Sequence, residues 1–326
     1  MHDEATKAQV TKALWDAYSP EDKNNFFPAY HYLKHIQRLM YHAMLQSGQV
    51  PVETKEKPDE DADQMLRHHI LRIAETSVSF DTNIYHAKVV ELKDAVKLVT
   101  NKEDLNISPP ETVMPFKVAR DIILKANDTI ALGSCPCREN VEHPCIPPTQ
   151  PVCLFIGDPF ASFLAEQNHR FRKASVDEAV KVLEFAHKKR LVHTAWFKEE
   201  LGGRAGMICN CCSCCCLGVR MWNMLAGTVP IMAPSGLVAE VNDDCNGCAV
   251  CVDRTCNFNA ITIDEKKQKA AIDLAKCMGC GVCVDVCPAK AIQLRREPSK
   301  GEPLDLDELK KPGVAAWQAG TSNEAG

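Results

Sequence analysis

Cysteine is the residue type that carries chemistry in this sequence. Eighteen cysteines occur among 326 residues, and all of them lie between Cys135 and Cys287. A chain of this length buries a core large enough to be stable without disulfide bonds, so a secreted disulfide scaffold is a poor interpretation. Clustered thiols of this kind predict metal binding, and their spacing indicates which centre each group serves.

Eight of the cysteines form two runs with ferredoxin spacing. The second run, from Cys277 to Cys287, is C-x2-C-x2-C-x3-C-P, which is the bacterial ferredoxin pattern. The first run, from Cys245 to Cys256, is C-x2-C-x2-C-x4-C and continues with Asn257 in place of proline. A gap of two residues lets successive thiolates surround one face of a cubane, whereas the fourth cysteine of so tight a loop points away. That fourth cysteine is therefore expected to serve the neighbouring cluster.

The resemblance of both runs to two-cluster ferredoxins implies two [4Fe-4S] clusters with crossed ligands. One cluster is implied to be bound by Cys245, Cys248, Cys251 and Cys287. The other is implied to be bound by Cys256, Cys277, Cys280 and Cys283. The two runs also form an internal repeat, CNGCAVCVDRTCNFNAITI against CMGCGVCVDVCPAKAIQL. Zinc ribbons also use paired C-x2-C motifs, but the cysteine spacing, this repeat and the terminal Cys-Pro favour iron and sulfur. Arg254 lies inside the first run, and because a nearby cation favours the reduced cluster, Arg254→Gln is predicted to lower the potential of one cluster.

Ten cysteines further upstream fit no familiar ligand pattern. They are predicted metal ligands, and they are Cys135, Cys137, Cys145, Cys153, Cys209, Cys211, Cys212, Cys214, Cys215 and Cys216. Six of them fall within the eight residues CNCCSCCC, and neighbouring side chains in a helix or a strand point to different faces. The region therefore holds two sites, or one large cluster bound from several sides. Three interpretations stay open: one or two further iron–sulfur clusters, structural zinc, or a catalytic iron–sulfur site that reduces a substrate.

The elements that must position these thiols predict an α+β fold. Its predicted parts are a helical docking domain (1–108), a small cysteine-rich α/β domain (109–235), a two-cluster ferredoxin domain (236–298) and a mobile tail (299–326). The helical part follows from apolar residues at three- and four-residue spacing, as at Leu33, Ile36 and Met40. The α/β part follows from the strand-like TIALG and VCLFIG and from a capping box between Ser175 and Glu178.

The order of the cysteine motifs carries a second resemblance. Over residues 109–296, GSCPCR, HPC, VCLFIGD, LVHTAW, ICNCCSCCC and the two-cluster motif resemble a group of ferredoxin-domain proteins of anaerobic bacteria and archaea. We expect an electron-transfer protein that relays single low-potential electrons to a redox partner protein, such as an oxidoreductase or flavoprotein complex. The main alternative is a reductase whose upstream iron–sulfur site is supplied by the ferredoxin domain. A cluster-based sensor or assembly factor is the third possibility.

Several other classes of function find no support in the sequence. No G-x-G-x-x-G follows a strand, and no C-x-x-C-H or P-loop lysine motif occurs, which argues against a Rossmann dinucleotide site, covalent haem and ATP-driven transfer. The net charge of -5 is spread along the chain, so no nucleic-acid partner is expected. The sequence contains no apolar run of about 18 residues, so no membrane span is expected. The opening MHDEATKAQV lacks a secretory pattern. A reducing cytoplasm is therefore the expected location.

Overall fold

The computed structural model confirms the α+β class and describes most of the chain. The described residues are 4–20, 23–53, 57–78, 85–108, 112–113, 122–124, 129–198, 201, 204–225, 231–253, 255–311 and 316–317. The helices are α1 (Glu4–Asp16), α2 (Phe26–Lys34), α3 (Ile36–Gln46), α4 (Glu60–Val78), α5 (Leu92–Thr100), α6 (Pro136–Glu139), α7 (Phe160–Gln167), α8 (Val176–Lys188), α9 (Leu217–Met224), α10 (Val282–Val286) and α11 (Leu306–Leu309). Among the described residues, none of these helices combines the length and apolarity needed to cross a bilayer.

The strands form four sheets within the described residues. They are β1 (Tyr85–Val90), β2 (Leu105–Ser108), β3 (Ile122–Leu124), β4 (Ile130–Ser134), β5 (Pro151–Ile156), β6 (Phe171–Ala174), β7 (Val192–Lys198), β8 (Arg204–Cys211), β9 (Met232–Ala233), β10 (Leu237–Val241), β11 (Ile261–Asp264), β12 (Lys269–Ile272), β13 (Ile292–Arg296) and β14 (Ala316–Trp317). The largest sheet has seven strands in the order β6-β4-β5-β8-β7-β1-β9, and only its β1 and β9 are parallel neighbours.

Strand β1 joins the N-terminal segment to this large sheet. It runs antiparallel to β7, with Tyr85 opposite Lys198 and Val90 opposite His193. A strand that precedes the predicted boundary at residue 108 therefore pairs with a strand that follows it, and the domain division stays a prediction. Helical periodicity dominates the first hundred residues, so the short strand was not recognisable from the sequence pattern.

Strand alternation gives the large sheet two buried faces. In β5, Cys153 and Phe155 lie in one core, whereas Leu154 lies in the other. Helices α1 to α4, α7 and α9 contribute to the first core, and α5, α8 and α11 contribute to the second. On β8, Cys209 and Cys211 share the first face with Cys153. The thiols of two neighbouring strands thus meet beneath the N-terminal helices.

The two C-terminal cysteine runs lie in the connections between the strands of two antiparallel pairs. Strand β10 pairs with β13, with Ala239 opposite Leu294, and β11 pairs with β12 as a hairpin. Val238, Ile261 and Ile292 form part of a small core between them. The first cysteine run connects β10 to β11, and the second run follows β12 and contains α10. This arrangement gives the two halves of the internal repeat similar surroundings.

The segment that follows β13 is anchored to the second core. Leu304, Leu306 and Leu309 are buried, and α11 packs against α5. Lys97 Nζ on α5 also donates to Asp305 at 2.7 Å. Three leucines within the acidic, proline-containing stretch of the predicted tail thus have apolar partners, and the mobility of the tail stays a prediction. Residues 312–315 and 318–326 lie outside the described residues.

Candidate metal centres

The eight ferredoxin cysteines converge on two small cavities. The first cavity is lined by Cys245, Cys248, Cys251 and Cys287, here called the distal group. The second is lined by Cys256, Cys277, Cys280 and Cys283, here called the proximal group. Each grouping draws thiols from both runs, which is the crossed arrangement that the resemblance implies. That these thiols ligate iron remains our proposal, and Arg254, whose influence on potential was predicted, lies outside the described residues.

Backbone amides surround the sulfurs of these two groups. The N–H donors lie 3.2–3.4 Å from the sulfurs in four pairs, Ala270 to Cys245, Ala291 to Cys287, Ala260 to Cys256 and Ala239 to Cys277. Such donors stabilise negative charge on cluster sulfur and raise the reduction potential. Burial raises the pKa of the Cys280 thiol to about 12, so a bound cation must replace the proton for this thiolate to form at neutral pH. The donor set and its surroundings therefore fit [4Fe-4S] clusters.

Two glycines let the backbone turn tightly within the cysteine runs. Gly247 and Gly279 have φ angles of +70° and +65°. A Cβ atom would lie 2.5 Å from the Gln268 carbonyl oxygen at the first position and 2.2 Å from the Leu237 carbonyl oxygen at the second. Only glycine accommodates both the positive φ and this close approach.

The ten upstream cysteines divide into two groups that share no member. Six line one cavity of 370 Å³, here called the thiol cavity, and they are Cys135, Cys137, Cys153, Cys209, Cys211 and Cys216. The other four form a compact group, and they are Cys145, Cys212, Cys214 and Cys215. The division at β8 follows from strand geometry, since Cys211 and Cys212 point to opposite sides of the sheet. Two separate sites was one of the arrangements that the sequence left open.

The thiol cavity lies between the first face of the sheet and the N-terminal helices. Its mostly apolar wall includes Tyr32, Ile36 and Met40 from α2 and α3. Hydrogen bonds to neighbouring thiols, together with burial, hold the pKa of Cys209 and Cys211 well above the ordinary value. Sequence reasoning missed this helical wall. The apolar stripe along α2 and α3 was the available signal, but it predicted only that some partner surface existed.

The four compact thiols stand in direct contact. Sγ–Sγ distances are 3.5 Å for Cys145 to Cys212, for Cys212 to Cys214 and for Cys214 to Cys215. Every sulfur lies within 4.8 Å of every other. Cys212 and Cys215 are buried, whereas Cys145 and Cys214 are exposed.

Arg138 lies between the two upstream thiol groups. Its side chain is buried and belongs to the wall of the thiol cavity. Nη2 donates to Cys212 Sγ at 3.3 Å and to the Asn210 carbonyl oxygen at 2.9 Å. Arg138 directly follows Cys-Pro-Cys in the sequence, a position from which it can offset the negative charge of thiolates. A buried guanidinium between two sets of thiols is well placed to do so.

The proximal group adjoins the part of the chain that carries the ten upstream cysteines, here called the upstream unit. The contact is made through Asn257 and Phe258. Asn257 Oδ1 accepts a hydrogen bond from the Ser213 amide at 2.8 Å, and Nδ2 donates to the Arg190 carbonyl oxygen at 2.9 Å. The Phe258 ring meets Trp222 of α9 edge-on, with centroids 5.3 Å apart. The two cysteine runs and their strands are here called the dicluster unit. The residues that follow Cys256 thus attach this unit to the turn after β8, which carries three of the four compact thiols.

A series of polar side chains in contact also connects the dicluster unit to the upstream unit. Asp285 contacts His187 Nε2, His187 Nδ1 lies 3.2 Å from His193 Nε2, and His193 Nδ1 lies 2.6 Å from Asn210 Oδ1. Burial lowers the pKa of His193 to about 4, so this imidazole is neutral at pH 7. Asn210 belongs to the wall of the thiol cavity. Both ring nitrogens of His193 thus have a hydrogen-bond partner within the strand surroundings.

Comparison with known proteins places the C-terminal unit in a family. Residues 244–291 match the model of the 4Fe-4S dicluster domain. The chain is 41% identical over 61 residues to indolepyruvate oxidoreductase subunit IorA of Pyrococcus abyssi, covering 18% of this chain and 9% of that protein. It is 33% identical over 72 residues to the archaeal glutamate synthase [NADPH] of Archaeoglobus fulgidus, covering 22% and 14%.

A third relative belongs to a named complex. The chain is 47% identical over 58 residues to one of the subunits of the ion-translocating oxidoreductase complex of Methanosarcina acetivorans, covering 18% of this chain and 20% of that protein. The chain thus spans a fifth or less of the length of these curated relatives. No solved structure was found to match it.

These matches define the class of protein. The chain contains a 4Fe-4S dicluster domain and is in that respect an iron–sulfur protein. Two of the relatives that it matches are named as subunits of oxidoreductases. The two [4Fe-4S] clusters predicted from the cysteine spacing are confirmed by this domain. The matched residues stop short of the ten upstream cysteines, so the chemistry of the thiol cavity must be argued from its own geometry.

Proposed function

We propose that this chain transfers single electrons between an external redox partner and an iron–sulfur centre in the thiol cavity. A [4Fe-4S] cluster, when bound, supplies one-electron exchange. The observation that carries the proposal is the asymmetry of the dicluster unit. Its proximal group adjoins the upstream unit through Asn257 and Phe258, whereas its distal group reaches solvent at Cys248.

The distal group suits contact with a partner protein. Cys248 is exposed, and Cys245 and Cys287 are partly exposed. Cys277 and Cys283 of the proximal group are buried. We therefore assign exchange with the external partner to the distal end, and exchange with the upstream unit to the proximal end.

The thiol cavity suits an iron–sulfur centre. Its six thiols exceed the four that one cubane requires, so the cavity accommodates a four-iron cluster with spare thiols or a larger cluster. Apolar side chains such as Met40 and Trp196 line the site, and Arg138 supplies a buried positive charge. Solvent exclusion and nearby charge are two of the means by which proteins set cluster potentials.

A reductase is the second candidate, and the size of the cavity favours it. At 370 Å³, the thiol cavity falls within the range of small-molecule sites and is similarly apolar. In this case Tyr32, Ile36 and Met40 would contact a small apolar substrate while the dicluster unit delivers electrons. A carrier needs no substrate space, so the two candidates differ in whether a small ligand alters the cavity centre.

We further propose that the chain acts as a subunit of an oxidoreductase complex in the cytoplasm. Two of the relatives are named as subunits of oxidoreductases, which supports assembly with a larger redox partner. The clustering of the cysteines as predicted metal ligands supports a reducing compartment.

The test is iron and acid-labile sulfide analysis of the full chain, purified anaerobically. We expect about twelve to sixteen irons in the wild type, because the dicluster domain accounts for about eight. The double variant Cys209→Ser/Cys211→Ser should retain only about eight irons while keeping the EPR signals of the reduced dicluster domain. Met207→Leu, which changes the same cavity wall without removing a thiol, is the matched control and should bind iron like the wild type.

The outcomes separate the candidates. A wild type with only about eight irons would overturn the cavity centre and both functions built on it. A cavity signal that changes when small apolar molecules are added would favour the reductase. A signal that responds only to reduction would favour the carrier.

A further inference from the structure

We propose that the compact thiol group is a zinc site, in which one Zn²⁺ ion is bound tetrahedrally by Cys145, Cys212, Cys214 and Cys215. This inference goes beyond the proposed function, because it concerns thiols that do not line the cavity. It assigns to a single ion four cysteines whose spacing in the sequence suggested no known zinc motif.

The sulfur–sulfur distances set the size of the bound group. A tetrahedral ion with metal–sulfur bonds of about 2.3 Å holds its ligands about 3.8 Å apart. The three contacts at 3.5 Å and the limit of 4.8 Å for every pair match this spacing. A cubane places four irons and four sulfides between its ligands, so its thiolates must stand further apart. The compact group has room for one ion and not for a cluster.

The donor set and its closure indicate zinc. Four thiolates in tetrahedral array suit Zn²⁺, and a site with four protein ligands leaves no open position for substrate. Four thiolates around a divalent ion leave an excess of negative charge. Arg138 donates to Cys212 Sγ at 3.3 Å and offsets part of it from the buried side. This is the pattern of a structural site and not of a catalytic one.

The position of the ion explains what it would stabilise. Cys145 lies between α6 and β5 in a segment without helix or strand, and the other three ligands lie in the turn after β8. The ion would join these two irregular segments. Cys211 and Cys216 flank the same turn and face the thiol cavity, with their sulfurs 3.3 Å apart. Zinc would therefore hold the cavity thiols in place from the opposite side of the sheet.

The experiment measures zinc and iron together in the anaerobically purified full chain, by elemental analysis. We expect one zinc per chain in the wild type and at least a tenfold loss of zinc in Cys145→Ser/Cys214→Ser, which changes two exposed ligands. His143→Ala is the matched control, because His143 is an exposed neighbour in the same segment and is not a member of the group. It should retain zinc and iron fully, whereas the double variant should lose cavity iron together with zinc and keep about eight irons, those of the dicluster domain.

X-ray absorption at the zinc edge of the wild type tests the site without any variant. Four sulfur neighbours at about 2.3 Å are expected. Nitrogen or oxygen neighbours, a wild type without zinc, or a single iron in its place would overturn the proposal. Loss of iron with zinc retained in Cys145→Ser/Cys214→Ser would overturn it as well. If the cavity holds no iron–sulfur centre, the wild type would instead contain only about eight irons together with one zinc. The two proposals can therefore fail separately.

Discussion

Asn257 offers the sharpest test of how the two units are joined. It stands where the second cysteine run has Pro288, and its side chain is 6% exposed. Asn257→Ala removes the bond from the Ser213 amide at 2.8 Å and the bond to the Arg190 carbonyl oxygen at 2.9 Å. The cysteines themselves are untouched, so the variant isolates the contact between the units.

The cost can be worked from these two bonds. Each contributes about 1 kcal/mol net, so the contact between the two units should lose about 2 kcal/mol of stability against the local opening that frees the Ser213 amide. At about 1.4 kcal/mol for each factor of ten, this corresponds to about 30-fold more frequent opening. The Ser213 amide is only partly buried, so water can reach it after the substitution and the cost stays near this value.

Hydrogen–deuterium exchange of the anaerobic protein, read by mass spectrometry, measures this opening directly. The peptide that contains Ser213 should exchange about 30-fold faster in Asn257→Ala, while the iron content stays unchanged. Gln293→Ala is the control, because it removes an exposed bond to Glu240 in the same unit. Equal exchange of the Ser213 peptide in wild type and Asn257→Ala would refute the reasoning.

Two further predictions concern a turn and a buried histidine. Gly279→Ala should abolish the dicluster EPR signals, because its Cβ would meet the Leu237 carbonyl oxygen at 2.2 Å; Gly281→Ala should keep them, since Ala249 already adopts the matching positive φ. The pKa of His193 is lowered to about 4 by burial, so the unfolded state binds more protons as the pH falls below 6.5. Through this group, the free energy of unfolding of the wild type should fall by about 2 kcal/mol between pH 7 and pH 5. Thermal melts of His193→Gln should show a smaller fall in stability over the same range.

The dicluster unit could be predicted almost completely from its sequence. Tight spacing between Cys277, Cys280 and Cys283 leaves few ways to arrange the chain, and the resemblance to two-cluster ferredoxins implied the crossed groups. The same holds for the N-cap of α8, where Ser175 Oγ accepts from the Glu178 amide as the capping box predicted. Both features depend on residues a few positions apart, which is the range over which sequence patterns determine conformation.

The upstream region could not be resolved in this way. Cys153 and Cys209 meet on neighbouring strands, and Cys145 reaches Cys212 across 67 residues of chain. These contacts depend on the strand order β4-β5-β8-β7, which no local pattern encodes. The wall formed by α2 and α3 was equally hidden, since an apolar helical stripe does not reveal what it packs against.

The sequence by itself therefore determined that this protein binds two [4Fe-4S] clusters, because closely spaced cysteines carry their geometry with them. Only the tertiary structure decided how the other ten cysteines divide. Because side chains alternate along a strand, Cys211 and Cys212 lie on opposite sides of one sheet. The pairing of strands that are distant in the sequence then places the other cysteines next to each of them. One side becomes a cavity suited to a redox centre, and the other becomes a four-thiol site suited to a single ion.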